Sequence, residues 1–263
     1  MRLKITHRTE YSFDRPNSFA LQRVRLVPES SDAQNVLDWS LEISGANQEV
    51  AYTDGFGNET CLLSVGSHQT NVSITAQGRV ETTDCSGVTG PHRGHVPLWL
   101  FQQETELSRS GPAIAALSRE IGPGDTLSRM HALLHLIVDR IEYRKDVTDT
   151  MTTAEDAAAS GAGVCQDQAH IFISTARLLG VPARYVSGYV CVPENYETAS
   201  HAWAEAYLDG LGWVAFDPAN GISPDDRYVR LAIGRDYRDA APISGLRLGE
   251  TGERLEVHVT VEQ

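Results

Sequence analysis

The stretch GVCQDQAHIFISTARLLGVPARYVSGYV, residues 163–190, decides the fold because it joins a helix directly to a strand. The segment after Gly163 predicts a helix that begins near Cys165, and Gly180 with Pro182 predicts its end. The next residues, 183–192, predict a strand. In the first helical turn, the positive end of the helix dipole favours a thiolate at Cys165. Cys165 is therefore a candidate nucleophile, although a lone cysteine at a helix start is more often structural.

The following segment, ASHAWAEAYLDGLGWVAFDP (199–218), predicts a β-hairpin with its turn at residues 209–212. Folding about that turn brings His201 opposite residues 217–220. Asp217 on the neighbouring strand can then accept the imidazole N–H and fix its tautomer. Alone, His201 is more often a satisfied strand histidine and Asp217 a turn residue. The combination of both with Cys165 favours thiol catalysis.

Toward the N-terminus, short alternating segments such as RVRLVPES and LDWSLEISG predict strands of an antiparallel sandwich or barrel. The composition changes in the loop at residues 85–91. We therefore predict an N-terminal β domain over residues 1–88 and a catalytic core over residues 89–245. A β-hairpin tail is predicted over residues 246–263, with residues 249–252 at its tip. Within the core, residues 125–144 predict an amphipathic helix that Asp125 or Thr126 can cap.

The bulk composition narrows the class of protein. The chain has 263 residues, 41% of them hydrophobic, and a formal net charge of −13. An acidic chain argues against nucleic acid or an anionic membrane as the main partner, since both require a basic surface. The start lacks an apolar segment of signal-peptide length, and the four cysteines form no C-x-x-C pair. These features lead us to expect a cytoplasmic protein with free thiols.

The two core segments resemble the transglutaminase-like superfamily, in particular its bacterial members that are often called candidate cysteine proteases. The N-terminal segments YSFDRP (11–16), QRVRLVPES (22–30) and DGFGNE (54–59) are similar to the domain that precedes this core. The resemblance implies an α+β fold, in which a papain-like core packs the nucleophile's helix on an antiparallel sheet. It also implies Cys165 as nucleophile, His201 as general base and acid, and Asp217 as the orienting residue.

The implied reaction forms a thioester on Cys165 from a protein or peptide amide. An amine then gives transamidation, and water gives deamidation or proteolysis. The Cys165 backbone N–H is expected to bind the oxyanion, and Tyr189 is a second candidate donor. No organic cofactor or metal is required.

Two alternatives to this enzyme stand on the same residues. A zinc site could be assembled from Cys165, His170, Cys191 and His201, but the spacing matches no closed zinc pattern. A non-catalytic binding or scaffold protein could use the same fold, because a fold alone proves no activity. The sequence specifies neither the acceptor, the amide substrate nor the oligomeric state.

Overall fold

A computed structural model of the chain describes residues 1–15, 19–93, 95–192, 200–248 and 252–263. The strands of the N-terminal part are β1 (Arg2–Phe13), β2 (Phe19–Val27), β3 (Gln34–Ser44), β4 (Asn47–Thr53), β5 (Glu59–Val65) and β6 (Asn71–Thr82). The later strands are β7 (Val88–Gly90), β8 (Glu142–Tyr143), β9 (Ala162–Gly163), β10 (Ala183–Val190), β11 (Ser200–Leu208), β12 (Gly212–Phe216), β13 (Tyr228–Gly234), β14 (Ile243–Leu248) and β15 (Glu253–Glu262). The α-helices are α1 (Pro112–Glu120), α2 (Thr126–Arg140), α3 (Ala154–Ser160), α4 (Cys165–Leu178) and α5 (Tyr237–Ala240), and a 3-10 helix spans Leu98–Gln102.

Two antiparallel four-stranded sheets form a β-sandwich, in the orders β15-β1-β6-β3 and β14-β2-β5-β4. Alternating apolar residues face inward from both sheets, for example Ile5 and Ile74 from the first and Leu26 and Leu63 from the second. All four are fully buried, as the alternation of side chains across a strand requires. The predicted N-terminal sandwich is therefore confirmed.

The core is a five-stranded antiparallel sheet in the order β13-β10-β11-β12-β7. Helix α4 packs on one face of it, against β10 and β11, and is itself surrounded by α1, α2 and α3. The α+β class and the helix-on-sheet core are thus as predicted. Asp125 caps α2 by accepting a hydrogen bond from the Ser128 N–H at 2.9 Å. Within the described ranges, none of the helices has the length and apolar character needed to cross a membrane.

Side-chain amides of the sandwich close the outer edge of β13. Gln34 donates to the Arg230 carbonyl at 2.9 Å and accepts from the Arg230 N–H at 2.8 Å. Asn58 makes the same pair of bonds with Ile233, both at 2.8 Å. An end strand otherwise leaves such groups unpaired. Two amides therefore take the place of a neighbouring strand and fasten the sandwich to the core.

The prediction of a C-terminal hairpin is wrong. β14 pairs with β2, from Ile243 opposite Val24 to Leu248 opposite Phe19, whereas β15 pairs with β1 in the other sheet. The predicted tip falls largely on residues 249–251, which lie outside the described residues. Each sheet of the sandwich has an open edge that a further strand can pair with, and hydrogen bonding to those edges replaces pairing within the tail. The domain division at residues 88 and 245 stays a prediction.

Candidate active site

Helix α4 begins at Cys165, as the sequence predicts. Asp167 fixes this first turn, since its Oδ2 accepts the Val164 N–H at 2.8 Å and the Thr148 hydroxyl at 2.7 Å. The residue before Val164 must be glycine, because a Cβ on Gly163 would lie 2.7 Å from the Asp167 Cβ. The half-buried Cys165 side chain thus stands at a helix end whose first N–H groups have no partner within the helix.

The hairpin of β11 and β12 brings His201 and Asp217 together. Ala204 pairs with Phe216, so Asp217 follows the last paired residue of β12 and lies across from the start of β11. The Asp217 Oδ2 atom is 2.6 Å from the His201 Nε2 atom. The Asp217 side chain is fully buried and that of His201 is 11% exposed. The register predicted from the turn at residues 209–212 therefore places this pair in contact.

Two further side chains hold the Asp217 carboxylate. The Tyr228 hydroxyl and the Asn220 amide each donate to Oδ2 at 2.7 Å. The Ala219 N–H donates to Oδ1 at 3.0 Å. Sequence reasoning missed both Tyr228 and Asn220. Asn220 carries a weak signal, as an amide three residues after the aspartate, but Tyr228 arrives from β13 without any local signal.

Electrostatics favour a protonated His201. Its burial alone would lower its pKa, but the hydrogen bonds and charges of Asp217 and Cys165 outweigh that effect and raise the pKa to about 10. Asp217 holds Nε2, and the Cys165 thiol is a further hydrogen-bonding partner of the ring. A protonated ring between a sulfur and a carboxylate is the arrangement that stabilises a thiolate.

Aromatic side chains enclose the imidazole. The Trp203 ring lies 6.2 Å from the His201 ring at an interplanar angle of 28°, and Trp203 is almost fully buried. Gly188, the cross-strand partner of His201, leaves room for this indole, since a Cβ there would lie 2.6 Å from Trp203. The glycine of SGY is therefore explained by packing beside the site.

Tyr143 is a residue near the site that sequence reasoning did not single out. It lies on β8, which pairs with β9 immediately before the Cys165 helix, and its side chain is half exposed. Partial burial raises the pKa of Tyr143, and the charges at Cys165 and Asp217 raise it further. Tyr143 is therefore a further side chain close to Cys165 and Asp217.

The prediction of Tyr189 as a second oxyanion donor is wrong. Its hydroxyl lies 2.9 Å from the His7 Nδ1 atom, and its ring is buried in the sandwich core. His201 pairs across the strands with Gly188 rather than with Tyr189. Adjacent residues of a strand point to opposite faces, so this offset of one residue turns Tyr189 away from the site.

Two residues of the zinc alternative, Cys191 and His170, have partners away from the Cys165–His201 pair. The Cys191 sulfur contacts the Val261 carbonyl at 3.9 Å, at the sandwich. His170 is buried on α4, where its Nε2 accepts the Tyr237 N–H at 3.1 Å. Among the described residues, the one group with metal-ligand spacing is Glu10, Glu256 and His258, on the outer sandwich sheet and away from Cys165.

Two family models cover most of the chain. Residues 115–218 match the transglutaminase-like superfamily, and residues 3–81 match the bacterial transglutaminase-like N-terminal region. The chain belongs to the transglutaminase-like superfamily.

Individual relatives of this superfamily member agree with the assignment. A candidate cysteine protease from Cytophaga hutchinsonii, solved as a crystal structure, is 25% identical, with a TM-score of 0.81 over 100% of this chain and 90% of that one. An uncharacterised protein of Mycobacterium leprae is 26% identical over 99% of this chain and 98% of its own length. A protein-glutamine gamma-glutamyltransferase of Pseudomonas aeruginosa is 30% identical over 33% of this chain, which is 15% of that protein. The superfamily match, the candidate cysteine protease and the glutamyltransferase support a general thiol-dependent catalytic role.

Proposed function

We propose that the protein is a cysteine acyltransferase or amidohydrolase that acts on protein or peptide amides through a thioester on Cys165. The observation that carries the proposal is the His201 ring, held at 2.6 Å by the buried Asp217 carboxylate and facing the Cys165 sulfur. Burial of a carboxylate away from water costs folding free energy, and an oppositely charged partner offsets that cost. Protonated His201 is that partner.

In the first half-reaction, the Cys165 thiolate attacks the amide carbonyl carbon, and the carbonyl electron pair moves to oxygen. In this proposal the Cys165 backbone N–H, at the start of α4, donates to the oxyanion. Collapse of the tetrahedral intermediate breaks the C–N bond. His201 gives its proton to the leaving nitrogen, which departs as ammonia or an amine and leaves the acyl group on sulfur.

In the second half-reaction, neutral His201 removes a proton from water or from a primary amine as it attacks the thioester. The sulfur leaves as thiolate, and His201 is again protonated. Water yields a carboxylic acid, whereas an amine yields a new amide. Asp217 keeps the ring oriented in both halves, and Tyr228 and Asn220 hold its carboxylate in place.

Alkylation kinetics separate this proposal from a scaffold function. We expect iodoacetamide at pH 7 to modify Cys165 at least about tenfold faster than a free peptide thiol, because the imidazolium stabilises the thiolate. Replacement of His201 by alanine is expected to remove the advantage. Cys85, also half-buried, is the matched internal control, and its alkylation should not respond to the substitution. Equal rates at Cys165 and in the peptide would favour the scaffold.

Mass spectrometry then distinguishes the reactions. A peptide library containing glutamine is incubated with the protein and a labelled primary amine. Label incorporation indicates transamidation, conversion of an amide to an acid indicates deamidation, and chain cleavage indicates proteolysis. The Cys165→Ala protein is the control. If it gives the same products, the thioester mechanism is refuted.

A further inference from the structure

A cavity of about 150 Å³ lies between the sandwich and the five-stranded sheet, away from α4. Exposed residues such as Glu29, Asp32 and Arg93 form its mouth, and the buried Arg184 and Phe101 line its depth. The neighbours of Arg184 on β10, Ala183 and Tyr185, belong to the core around α4. Arg184 therefore points to the opposite face of the sheet from the helix that carries Cys165.

Arg184, a buried charged residue of the cavity, has a hydrogen-bond donor that the described residues do not use. Arg184 is 94% buried, since its relative exposure is 6%. Its Nε donates to the Glu205 Oε2 at 2.6 Å, and its Nη2 meets the same oxygen. Its Nη1 has no hydrogen-bond partner among the described residues. Burial lowers the pKa of Arg184 to about 10, and Glu205 offsets part of that effect, so the group stays cationic at neutral pH.

A second guanidinium faces the same space. Arg230 lines the cavity, and its Nη1 lies 3.8 Å from the Glu205 Oε1, too far for a hydrogen bond. That oxygen is buried and accepts no hydrogen bond among the described residues. At the mouth, Arg93 pairs with Asp32 at 3.1 Å, which offsets one of the two acidic groups there. The charge of Arg230 also acts on Glu29, the other acidic group, so Arg184 Nη1 is the buried cationic donor of the cavity that has no hydrogen-bond partner among the described residues.

The remaining walls are aromatic. The Phe56 ring lies 5.9 Å from the Phe101 ring, and Phe101 lies 5.1 Å from Trp213 in an edge-to-face contact. The Arg184 guanidinium carbon sits 4.0 Å from the Trp213 ring centre. Rings of this kind take the apolar body of a ligand, while a few polar groups fix its orientation.

Two N-terminal segments that the catalytic proposal does not use meet here. Glu29 and Ser30 end the segment QRVRLVPES, and Phe56 and Gly57 belong to DGFGNE; all four line the cavity. Gly57 has a φ of +94°, a left-handed conformation that allows the turn presenting Phe56. The sandwich thus supplies one wall of the cavity, in addition to covering this face of the core sheet.

We propose that this cavity is a binding site for a small organic carboxylate with an apolar, preferably aromatic, body. The carboxylate bridges Arg184 Nη1 and Arg230, and the body packs against the wall that the contacting Phe56 and Phe101 rings form. Pockets for drug-sized ligands measure about 300–1,000 Å³, so this smaller volume suits a ligand of roughly ten non-hydrogen atoms or fewer. The site is independent of the Cys165 chemistry.

Benzoate and benzamide test the proposal, because the two molecules share size and shape and differ in charge. Each is titrated by calorimetry into the full chain in a chloride buffer, with tryptophan fluorescence as a second readout through Trp213. We expect benzoate to bind at least about tenfold more tightly than benzamide, since a charge-assisted hydrogen bond is worth more than a neutral one. Equal affinities, or no benzoate binding up to about 10 mM, would overturn the proposal.

Three variants assign the binding to this cavity. Arg230→Gln keeps the backbone bonds to Gln34 and should abolish the preference for benzoate over benzamide. Phe56→Ala should weaken both ligands and leave their ratio intact. Arg140→Gln, which removes an exposed arginine paired with Glu120, is the control and should change neither. A preference that survives in Arg230→Gln, or that is lost in Arg140→Gln, contradicts the assignment.

The catalytic variant Cys165→Ala completes the set. It should bind benzoate with unchanged affinity, because the cavity lies on the other face of the sheet. Loss of binding in this variant would show that benzoate occupies the catalytic cleft, and the cavity proposal would fail. A protein without amidase or transferase activity that still prefers benzoate would refute the proposed function and retain this site.

Discussion

Two histidines on strands of this molecule, His7 in the sandwich and His201 at the cleft, have opposite electrostatics in similarly buried surroundings. The His7 ring lies 2.9 Å from the Tyr189 hydroxyl and 3.1 Å from that of Thr9. Burial lowers the pKa of His7 to about 4. Burial acts in the same direction on His201, yet its contacts with Asp217 and Cys165 raise the pKa to about 10.

The difference shows what makes a strand histidine chemically useful. A hydroxyl is neutral, so it satisfies the ring without stabilising a positive charge. A carboxylate and a thiolate are anions, and in a buried setting their attraction exceeds the desolvation cost. His7 is the satisfied structural histidine that His201 would be without Asp217. Substitutions that replace the charged surroundings of His201 by neutral ones, like those of His7, therefore test the catalytic assignment.

The largest effect is expected for Asp217→Asn, which turns the cleft into a neutral site of the His7 kind. The amide cannot stabilise the imidazolium and also favours the wrong tautomer, so the pKa of His201 should fall. We expect alkylation of Cys165 at pH 7 to slow about 30-fold, toward the rate of a free thiol, of which about 3% is thiolate at that pH. The measurement is the second-order rate constant with iodoacetamide.

Asp225→Asn is the matched control for that substitution. Asp225 is a carboxylate between β12 and β13 that pairs with Arg227 at 2.7 Å, and none of the hydrogen bonds of the described residues joins it to His201. Its amide variant should alkylate at the parent rate. If both variants lost a similar factor in the alkylation rate constant, the cause would be the loss of a negative charge near the cleft in general. That result would contradict the specific role of Asp217.

Acidification should destabilise the fold through His7. Its pKa of about 4 in the folded chain lies below its value of 6.5 when unfolded, so the unfolded state binds the proton first. Stability is complete above pH 6.5 and is lost as the pH falls toward 4, by about 3 kcal/mol for this residue. His201 has the opposite sign, since its contribution is complete below pH 6.5 and is lost as the pH rises toward 10.

Urea unfolding at pH 7 and pH 4.5 measures this linkage. In His7→Gln, which retains hydrogen-bonding groups, the loss of unfolding free energy between the two pH values should shrink. An unchanged pH dependence would mean that His7 is accessible to protons in the folded state. His170, whose pKa burial lowers to about 3, supplies a remaining loss in both proteins.

A smaller effect on stability, and none on alkylation, is expected for Tyr189→Phe. The substitution leaves the buried His7 Nδ1 atom without its partner, which costs about 1–3 kcal/mol. Alkylation of Cys165 should be unchanged, because Tyr189 faces the sandwich. Urea unfolding and iodoacetamide kinetics on one preparation measure both quantities. A slower alkylation with unchanged stability would indicate that Tyr189 acts at the active site and would contradict its structural role.

The parts of the site that the sequence could predict are those whose partners are close in the chain. The start of α4 follows from the glycines before Cys165, and the His201–Asp217 contact follows from a turn of four residues. Local geometry determines both. The resemblance to the superfamily added the roles of the residues, which spacing alone leaves open.

The features that sequence reasoning missed depend on partners far along the chain. The short segment between β14 and β15 predicts that these strands pair with one another, yet they pair with β2 and β1, more than 200 residues away in the chain. The orientation of Tyr189 depends on the register between β10 and β11, because a shift of one residue moves a side chain to the other face of the sheet. Tyr228 reaches Asp217 from β13, whose place in the sheet no local pattern specifies.

Tyr228 provides the smallest of the expected effects. Its hydroxyl is one of three groups that contact the Asp217 Oδ2, together with His201 and Asn220. Tyr228→Phe therefore leaves two partners, and we expect alkylation of Cys165 at pH 7 to slow about fivefold, equivalent to a hydrogen bond of about 1 kcal/mol.

Tyr207→Phe is the control for this substitution. It removes a hydroxyl from β11 on the same sheet, where the ring packs on Trp213, and should alkylate at the parent rate. If Tyr228→Phe matched Asp217→Asn, the hydroxyl would have to do more than position the carboxylate. If it matched Tyr207→Phe, His201 and Asn220 would suffice to hold Asp217, and the contrast with His7 would rest on the carboxylate and the thiol alone.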